Sequence, residues 1–277
     1  FFGREPFITV ISSRGCPYQC TFCRAGLTWG EKARHRSPEN VIREIEEVRD
    51  KQGIRNVVFM TDLFTINRPW VLKTCNLMIE RKIAVRWICN SRADAPDAEM
   101  LDLMRKAGCE LISYGLESGD QEILDRSKKM LKLEHGRRTI PLTKKAGILA
   151  FGYFIIGLPG ETWDTVQKTI DYAIEVNPDY ALFHIATPFP GTELYDWAIK
   201  NGYLEIDDWS KFEEDSSAAM RTEHLTAADL LKAKKMATRK FYLRPSRLLK
   251  EVQSLKNWQD FTTKARAGLK VLGLTGE

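Results

Sequence analysis

Residues 14–23 read RGCPYQCTFC, three cysteines within eight residues at the spacing C-x3-C-x2-C. Just before them, residues 7–12 (FITVIS) are apolar and β-branched and read as a strand. Beyond them, Ser37-Pro38 has the form of a helix N-cap followed by proline at the first helical position. A strand, a loop carrying three thiols and a helix therefore open the chain. Gly15 and Pro17 mark the loop as a built turn.

The same alternation continues outward. Val41, Ile42, Ile45 and Val48 keep helical spacing, and Gly53 closes that helix. A strand is expected at 56–60 (NVVFM), a helix at 70–81, a strand at 84–89 (AVRWIC) and a helix at 97–107 closed by Gly108. Residues 110–116 (ELISYGL) read as a strand, and a charged stretch reads as helical to Ala146, against the presence of Pro141. Strand 148–156 (ILAFGYFII), helix 162–176 stopped by Asn177-Pro178, strand 180–186 and helix 192–200 complete the series.

About six β-then-α units result. Apolar strands separated by amphipathic helices imply a parallel sheet with helices outside, curled by right-handed crossovers toward a barrel. The expected fold class is α/β, a partial (β/α)6 TIM-like barrel over residues 1–205. An open Rossmann-type sheet is the structural alternative. From Asp207 the pattern changes, with helices read at 226–243 and 246–270. Residues 206–277 are expected to form a C-terminal helical extension packed on the barrel.

The bulk numbers limit the functional classes. The 277 residues carry 42 Lys and Arg against 37 Asp and Glu, a net charge of +5. The charges are interspersed, which describes a solvated mixed surface and gives no nucleic-acid stripe. No apolar run approaches the ~20 residues of a membrane span, and no signal peptide is read at the start. A cytoplasmic protein is expected. The chain opens Phe1-Phe2-Gly3 without an initiator Met, so a longer parent polypeptide is expected. Of the six cysteines, Cys75, Cys89 and Cys109 lie scattered in apolar sequence and read as core residues, not as a disulfide framework.

In a barrel of parallel strands, function gathers where strands end. Cys16, Cys20 and Cys23 sit there, after the first strand. Three thiolates from one loop suit three irons of a [4Fe–4S] cluster and leave the fourth iron open, as a catalytic zinc keeps an open position. The alternative is a non-catalytic, zinc-stabilised binding protein. Zinc wants four ligands, and only His35 is available as the fourth.

The loop C-x3-C-x2-C, with Phe22 before the last cysteine, resembles the signature of the radical S-adenosylmethionine (radical SAM) enzymes. The resemblance implies that the open iron chelates SAM and that reductive SAM cleavage gives a 5′-deoxyadenosyl radical. It also implies a one-electron reductant such as flavodoxin or ferredoxin. Asp62 (in TDLFTINRPW), Arg92 (in CNSRAD), Glu117 and Ser118 (in YGLESG), and Gly157 and Pro159 (in IIGLPGET) end successive strands and match the family's SAM-binding positions. Phe22 would lie near the adenine. Taken singly, a strand-end Asp or Glu is as well explained as the cap of the next helix. Residues 187–202 and 225–249 and the lead-in GREPF resemble the cobalamin-associated group, which includes the anaerobic magnesium-protoporphyrin monomethyl ester cyclases and hopanoid-modifying enzymes. In that group a B12-binding domain precedes the barrel, and a small organic, tetrapyrrole or lipid-like substrate is methylated or cyclised. No D-x-H-x-x-G cobalamin loop occurs in this sequence. A methylthiotransferase-like enzyme is the nearer alternative. Tyr114, Tyr153 and His184 are strand residues that could face the lumen, and none is assigned a catalytic role.

Overall fold

The structure is a computed structural model that describes residues 2, 3, 5–205, 217–253 and 262. Six strands form one sheet: β1 (Ile8–Val10), β4 (Asn56–Phe59), β5 (Arg86–Ser91), β6 (Cys109–Glu117), β7 (Leu149–Ile156) and β8 (Tyr180–Ile185). Every neighbouring pair is parallel. They lie side by side in chain order. That order never reverses, so the sheet has no switch point of the kind a Rossmann sheet needs. The partial (β/α)6 barrel is the architecture present.

The helices form where the sequence places their caps. In α2 (Pro38–Gln52) the Ser37 side chain accepts a hydrogen bond from the Asn40 amide, and Gly53 ends the helix in the left-handed conformation. Helix α3 (Arg68–Glu80) starts two residues earlier than expected because Asn67 caps it. Asp97 caps α4 (Ala98–Lys106) and Thr162 caps α7 (Trp163–Val176), which Asn177 ends in the left-handed conformation. The helix-side face of the sheet buries Val57, Phe59, Trp87, Ile112, Tyr114, Phe154 and Phe183. Cys75, Cys89 and Cys109 are buried in this layer, as their apolar surroundings imply.

The structure differs from the sequence reading in three places. The stretch after β6 is two helices, α5 (Gln121–Arg126) and α6 (Leu133–Lys145), separated by a turn in which Lys128 and Met130 both have positive φ. Pro141 sits inside α6. Burial of Gly136, Thr139, Ile140 and Thr143 along one face of that helix accompanies the hydrogen bond that proline removes. The cysteine loop also carries structure of its own, a short antiparallel pair, β2 (Ser13–Arg14) with β3 (Arg34–His35), and a single helical turn α1 (Ala25–Trp29).

Beyond α8 (Glu193–Lys200), helix α9 (Ala227–Tyr242) buries Leu230, Ala233, Ala237 and Phe241. Phe241 meets Phe183 of β8 edge-on at 6.3 Å. The Tyr242 hydroxyl donates to the Ala181 carbonyl at 2.9 Å. Helix α9 thus forms part of the outer layer over β8. Helix α10 (Pro245–Gln253) covers the start of the expected 246–270 helix. The rest of that expectation, and residues 206–216, lie outside the described residues. No helix among the described residues is long and apolar enough to cross a membrane.

Candidate active site

A cavity of about 460 Å³ opens at the C-terminal ends of the strands. Cys16, Cys20 and Cys23 all line it, together with Tyr18, Phe22, Thr61, Asp62, Arg92, Glu117, Lys129 and Tyr153. One loop delivers the cysteines because its backbone is held at several points. The Gly15 amide donates to Asp62 Oδ2 at 3.2 Å, and the Cys16 amide to the Gly30 carbonyl at 3.2 Å. Gly15 has φ +93°, and a Cβ there would stand 2.3 Å from the Lys32 carbonyl, so no other residue fits this crossing. The Thr21 amide donates to the Ser127 carbonyl at 3.0 Å and the Leu194 amide to the Thr21 carbonyl at 2.9 Å.

The thiols are shielded to different degrees: Cys16 is buried, Cys20 half-buried and Cys23 exposed. Burial raises the Cys16 thiol pKa and pushes Cys20 up to about 11. The free Cys16 and Cys20 thiols hold their protons, and metal binding would release them. His35, the one histidine near enough in sequence to complete a zinc site, packs tilted against Trp70 at 5.5 Å between centroids and lines a different cavity. Among the described residues, no group of three or more Cys, His, Asp and Glu is gathered closely enough to hold a single metal ion.

Asp62 and Glu117 reach the cavity, and each has a distinct setting. Asp62 sits beside the first cysteine; burial raises its pKa, and the hydrogen bond from Gly15 opposes the rise. Glu117 has φ +60°, at a register shift where β6 leaves β7. That turn aims its carboxylate into the cavity, where Oε1 accepts from Lys129 Nζ at 2.6 Å. Both side chains are largely buried, at 8% exposed for Glu117 and 10% for Lys129. A Cβ on Gly115 would fall 2.4 Å from Glu117 Oε1, so the pair occupies the space this glycine leaves. Burial works against the Lys129 ammonium, but Glu117 and Cys20 outweigh it and hold its pKa above the ordinary lysine value.

Sequence reasoning missed Lys129. The charged stretch that reads as helical to Ala146 gave Lys129 no role of its own. The signal was the short interruption RSKKML at 126–131, which breaks the helical spacing. Arg92 is placed correctly but employed differently from a free carboxylate binder. Its guanidinium donates to the Lys129 and Met130 carbonyls, both at 2.8 Å, and to Asp94. It also lies over the Tyr18 ring at 3.7 Å. Arg92 therefore braces the cysteine loop against the turn that carries Lys129.

Other expected residues stand outside this cavity. Ser118 is fully buried and faces α7, sharing a hydrogen bond with Thr169 Oγ1 at 3.2 Å and accepting from the Asp120 amide at 3.1 Å. The missing Cβ of Gly157 faces Leu230 of α9 at 3.0 Å, so this glycine admits a helix of the outer layer. Pro159 lies in the next turn, which the carboxyl of Glu161 holds by accepting from the Gly157 amide. Glu161 is wholly buried and its Oε1 has no hydrogen-bond partner. Desolvation raises its pKa to about 8. Tyr114 points to the helix side, bonded to Thr143 Oγ1 at 2.7 Å. Tyr153 and His184 do face the lumen, stacked at 5.7 Å, and line an adjoining cavity of about 340 Å³ with Phe22 and Cys23.

Residues 10–173 match the Radical SAM superfamily. An uncharacterised methyltransferase of Pyrococcus horikoshii is 34% identical over 247 residues, 89% of this chain and 54% of that protein. The anaerobic magnesium-protoporphyrin IX monomethyl ester cyclase of Cereibacter sphaeroides is 32% identical over 236 residues, 84% of this chain and 38% of the cyclase. The chain thus spans about half the length, or less, of these curated relatives. Among solved structures, the radical S-adenosylmethionine methyltransferase TsrM of Kitasatospora setae, with cobalamin and a [4Fe–4S] cluster bound, has a similar fold. Its TM-score is 0.70 at 18% identity, covering 88% of this chain and 52% of that one.

Proposed function

Because the chain belongs to the radical SAM superfamily, we propose that it is the catalytic barrel of a methyltransferase or oxidative cyclase. It would bind a [4Fe–4S] cluster and SAM and act on a small organic substrate. The observation that carries this reading is the convergence of three cysteines from one loop with Asp62, Glu117 and Lys129 on one cavity. The residues fit such a group. Three soft donors suit iron, the buried Thr61 hydroxyl has no hydrogen-bond partner, and the opposite wall carries both signs of charge.

Cys16, Cys20 and Cys23 would hold three irons. A cluster held there would supply one electron for cleavage of the SAM C5′–S bond, giving methionine and a 5′-deoxyadenosyl radical able to take hydrogen from the substrate. The protein's own part is binding and orientation. Asp62 and Glu117 would accept hydrogen bonds from the SAM ammonium and ribose hydroxyls, and Lys129 would meet its carboxylate. Phe22 would cover the adenine. Gly157 and Pro159 would shape the turn behind it, and Ser118 would fix α7 against β6. Arg92 would keep the cysteine loop and Lys129 in register, and Tyr153 and His184 would lie toward the substrate.

A cobalamin domain upstream of this chain, and a reductant such as flavodoxin or ferredoxin, complete the proposal. The cobalamin-bound neighbour supports it, and so do the free cysteines, which suit a reducing cytoplasm. This sequence has no D-x-H-x-x-G loop, and no residue here is assigned to cobalamin. The test is anaerobic reconstitution with iron and sulfide, addition of SAM and a strong reductant, and an assay for 5′-deoxyadenosine. Product from the parent and none from Cys20→Ala is the expected result. Tight zinc binding without cluster assembly would refute it.

A further inference from the structure

Several cations of this protein lie in ion pairs with carboxylates on its surface. Lys51 meets Glu47 and Lys106 meets Asp102, both at 2.6 Å, and Lys73 meets Glu39 at 2.7 Å. The cysteine loop is different. Residues 14–36 contain five Lys or Arg and a single acidic residue, Glu31, so this short stretch holds most of the chain's net charge of +5. Among the described residues only Arg36 of these five has a carboxylate partner, Glu44 at 2.6 Å. Arg14, Lys32 and Arg34 are exposed and form no ion pair there.

These cations share one built surface. Arg14 and Arg34 face each other across the β2–β3 pair. The Arg14 guanidinium lies over the Trp29 ring at 5.0 Å, and Arg34 donates to the Trp29 carbonyl at 2.7 Å. Arg14 and Trp29 also line the candidate cavity, so the patch adjoins it, while Arg34 lies away from it. Lys32 sits on the connection between them. Trp29 is 40% exposed and Leu27 60% exposed, two large apolar side chains beside the charges. This patch backs directly onto the proposed cluster ligands. The residue after Trp29 is Gly30, whose carbonyl accepts from the Cys16 amide at 3.2 Å.

We propose that this basic, aromatic-centred face around Arg14, Lys32, Arg34 and Trp29 is the docking site of an acidic one-electron carrier protein. The inference rests on the radical SAM reading above. Unpaired cations around an apolar centre are the arrangement that steers and seats an anionic protein partner. The short route through Gly30 to Cys16 places the partner beside the loop that needs its electron. The step is a single electron transfer: the reduced carrier is oxidised by one electron, the cluster is reduced by one, and no bond to this chain forms or breaks.

Two readouts test it. Binding of an oxidised flavodoxin, followed through its flavin fluorescence, needs no cluster. Reduction of the reconstituted cluster is then timed with reduced flavodoxin and with the small cationic reductant methyl viologen. Lys32→Glu/Arg34→Glu should weaken flavodoxin binding and slow reduction by it about tenfold or more at low salt. It should leave reduction by methyl viologen no slower. Lys51→Glu/Lys106→Glu makes the same change in net charge elsewhere and should match the parent. Equal flavodoxin binding by parent and Lys32→Glu/Arg34→Glu, or an equal loss in the Lys51/Lys106 control, would overturn the docking site. Salt-sensitive, patch-dependent binding in a chain that assembles no cluster would sustain the surface and refute the radical SAM reading.

Discussion

Two neighbouring strands each end near a buried glutamate, and the protein treats the two in opposite ways. Glu117, at the end of β6, is turned into the cavity and salt-bridged to Lys129 at 2.6 Å. Glu161, in the turn after β7, has no cation against it and is tied to backbone amides, with its pKa raised to about 8. The difference shows where this molecule keeps charge. A buried carboxylate is retained beside a counter-ion where a ligand is to be met, and a neutral acid serves where only a turn has to be held.

The sharpest way to break this contrast is to remove the counter-ion. Lys129→Ala should destabilise the protein by roughly 3–5 kcal/mol near neutral pH, because Glu117 is left buried and unpaired. Chemical denaturation should show the deficit shrinking in acid, where that carboxyl can protonate. Removing both charges should restore much of the loss. Glu117→Gln/Lys129→Met should recover about 1–4 kcal/mol over Lys129→Ala while abolishing SAM binding, read by equilibrium dialysis.

Glu161 predicts the opposite pH behaviour. Its folded pKa is raised from 4.5 to about 8, so the stability it contributes is full below the lower value and falls as pH rises through the upper one. Glu161→Gln should gain on the parent between about pH 5 and pH 9, on the order of 2 kcal/mol, in melts followed across pH. The smallest effect is expected from Arg92→Lys. It keeps the charge but loses the forked donation to two carbonyls, and should cost about 1–2 kcal/mol. Slower cluster assembly than in the parent would show that the brace reaches the cysteine loop.

The sheet was legible because its strands are short apolar runs and its helices carry their own caps: Ser37, Asp97 and Thr162 all accept the expected backbone bonds. The three cysteines stood out by their spacing and their place after the first strand, while Asp62, Arg92 and Glu117 were singled out through the family resemblance, since a strand-end acid alone reads as a cap. What spacing does not encode is direction. Ser118 directly follows Glu117 but faces the other way, because the backbone at Glu117 turns through a positive φ. Gly157 reads as room for a ligand, yet Leu230, more than seventy residues later, fills that room. Lys129 was hidden because its turn depends on Arg92, a contact 37 residues away.

The hydrogen bonds of the cysteine loop also set a timetable. The loop occupies residues 16–23, yet Thr21 is fixed by Ser127 and by the amide of Leu194. During synthesis the N-terminal region leaves the ribosome first. The start of the loop has its partners, Gly30 and Asp62, soon after it is made, but Thr21 meets Ser127 and Leu194 only after β6, α5 and the start of α8 have been made. The stretch between Cys20 and Cys23 is thus among the last parts of the loop to be held in place. Delivery of iron to this site then belongs to the completed barrel, not to the growing chain.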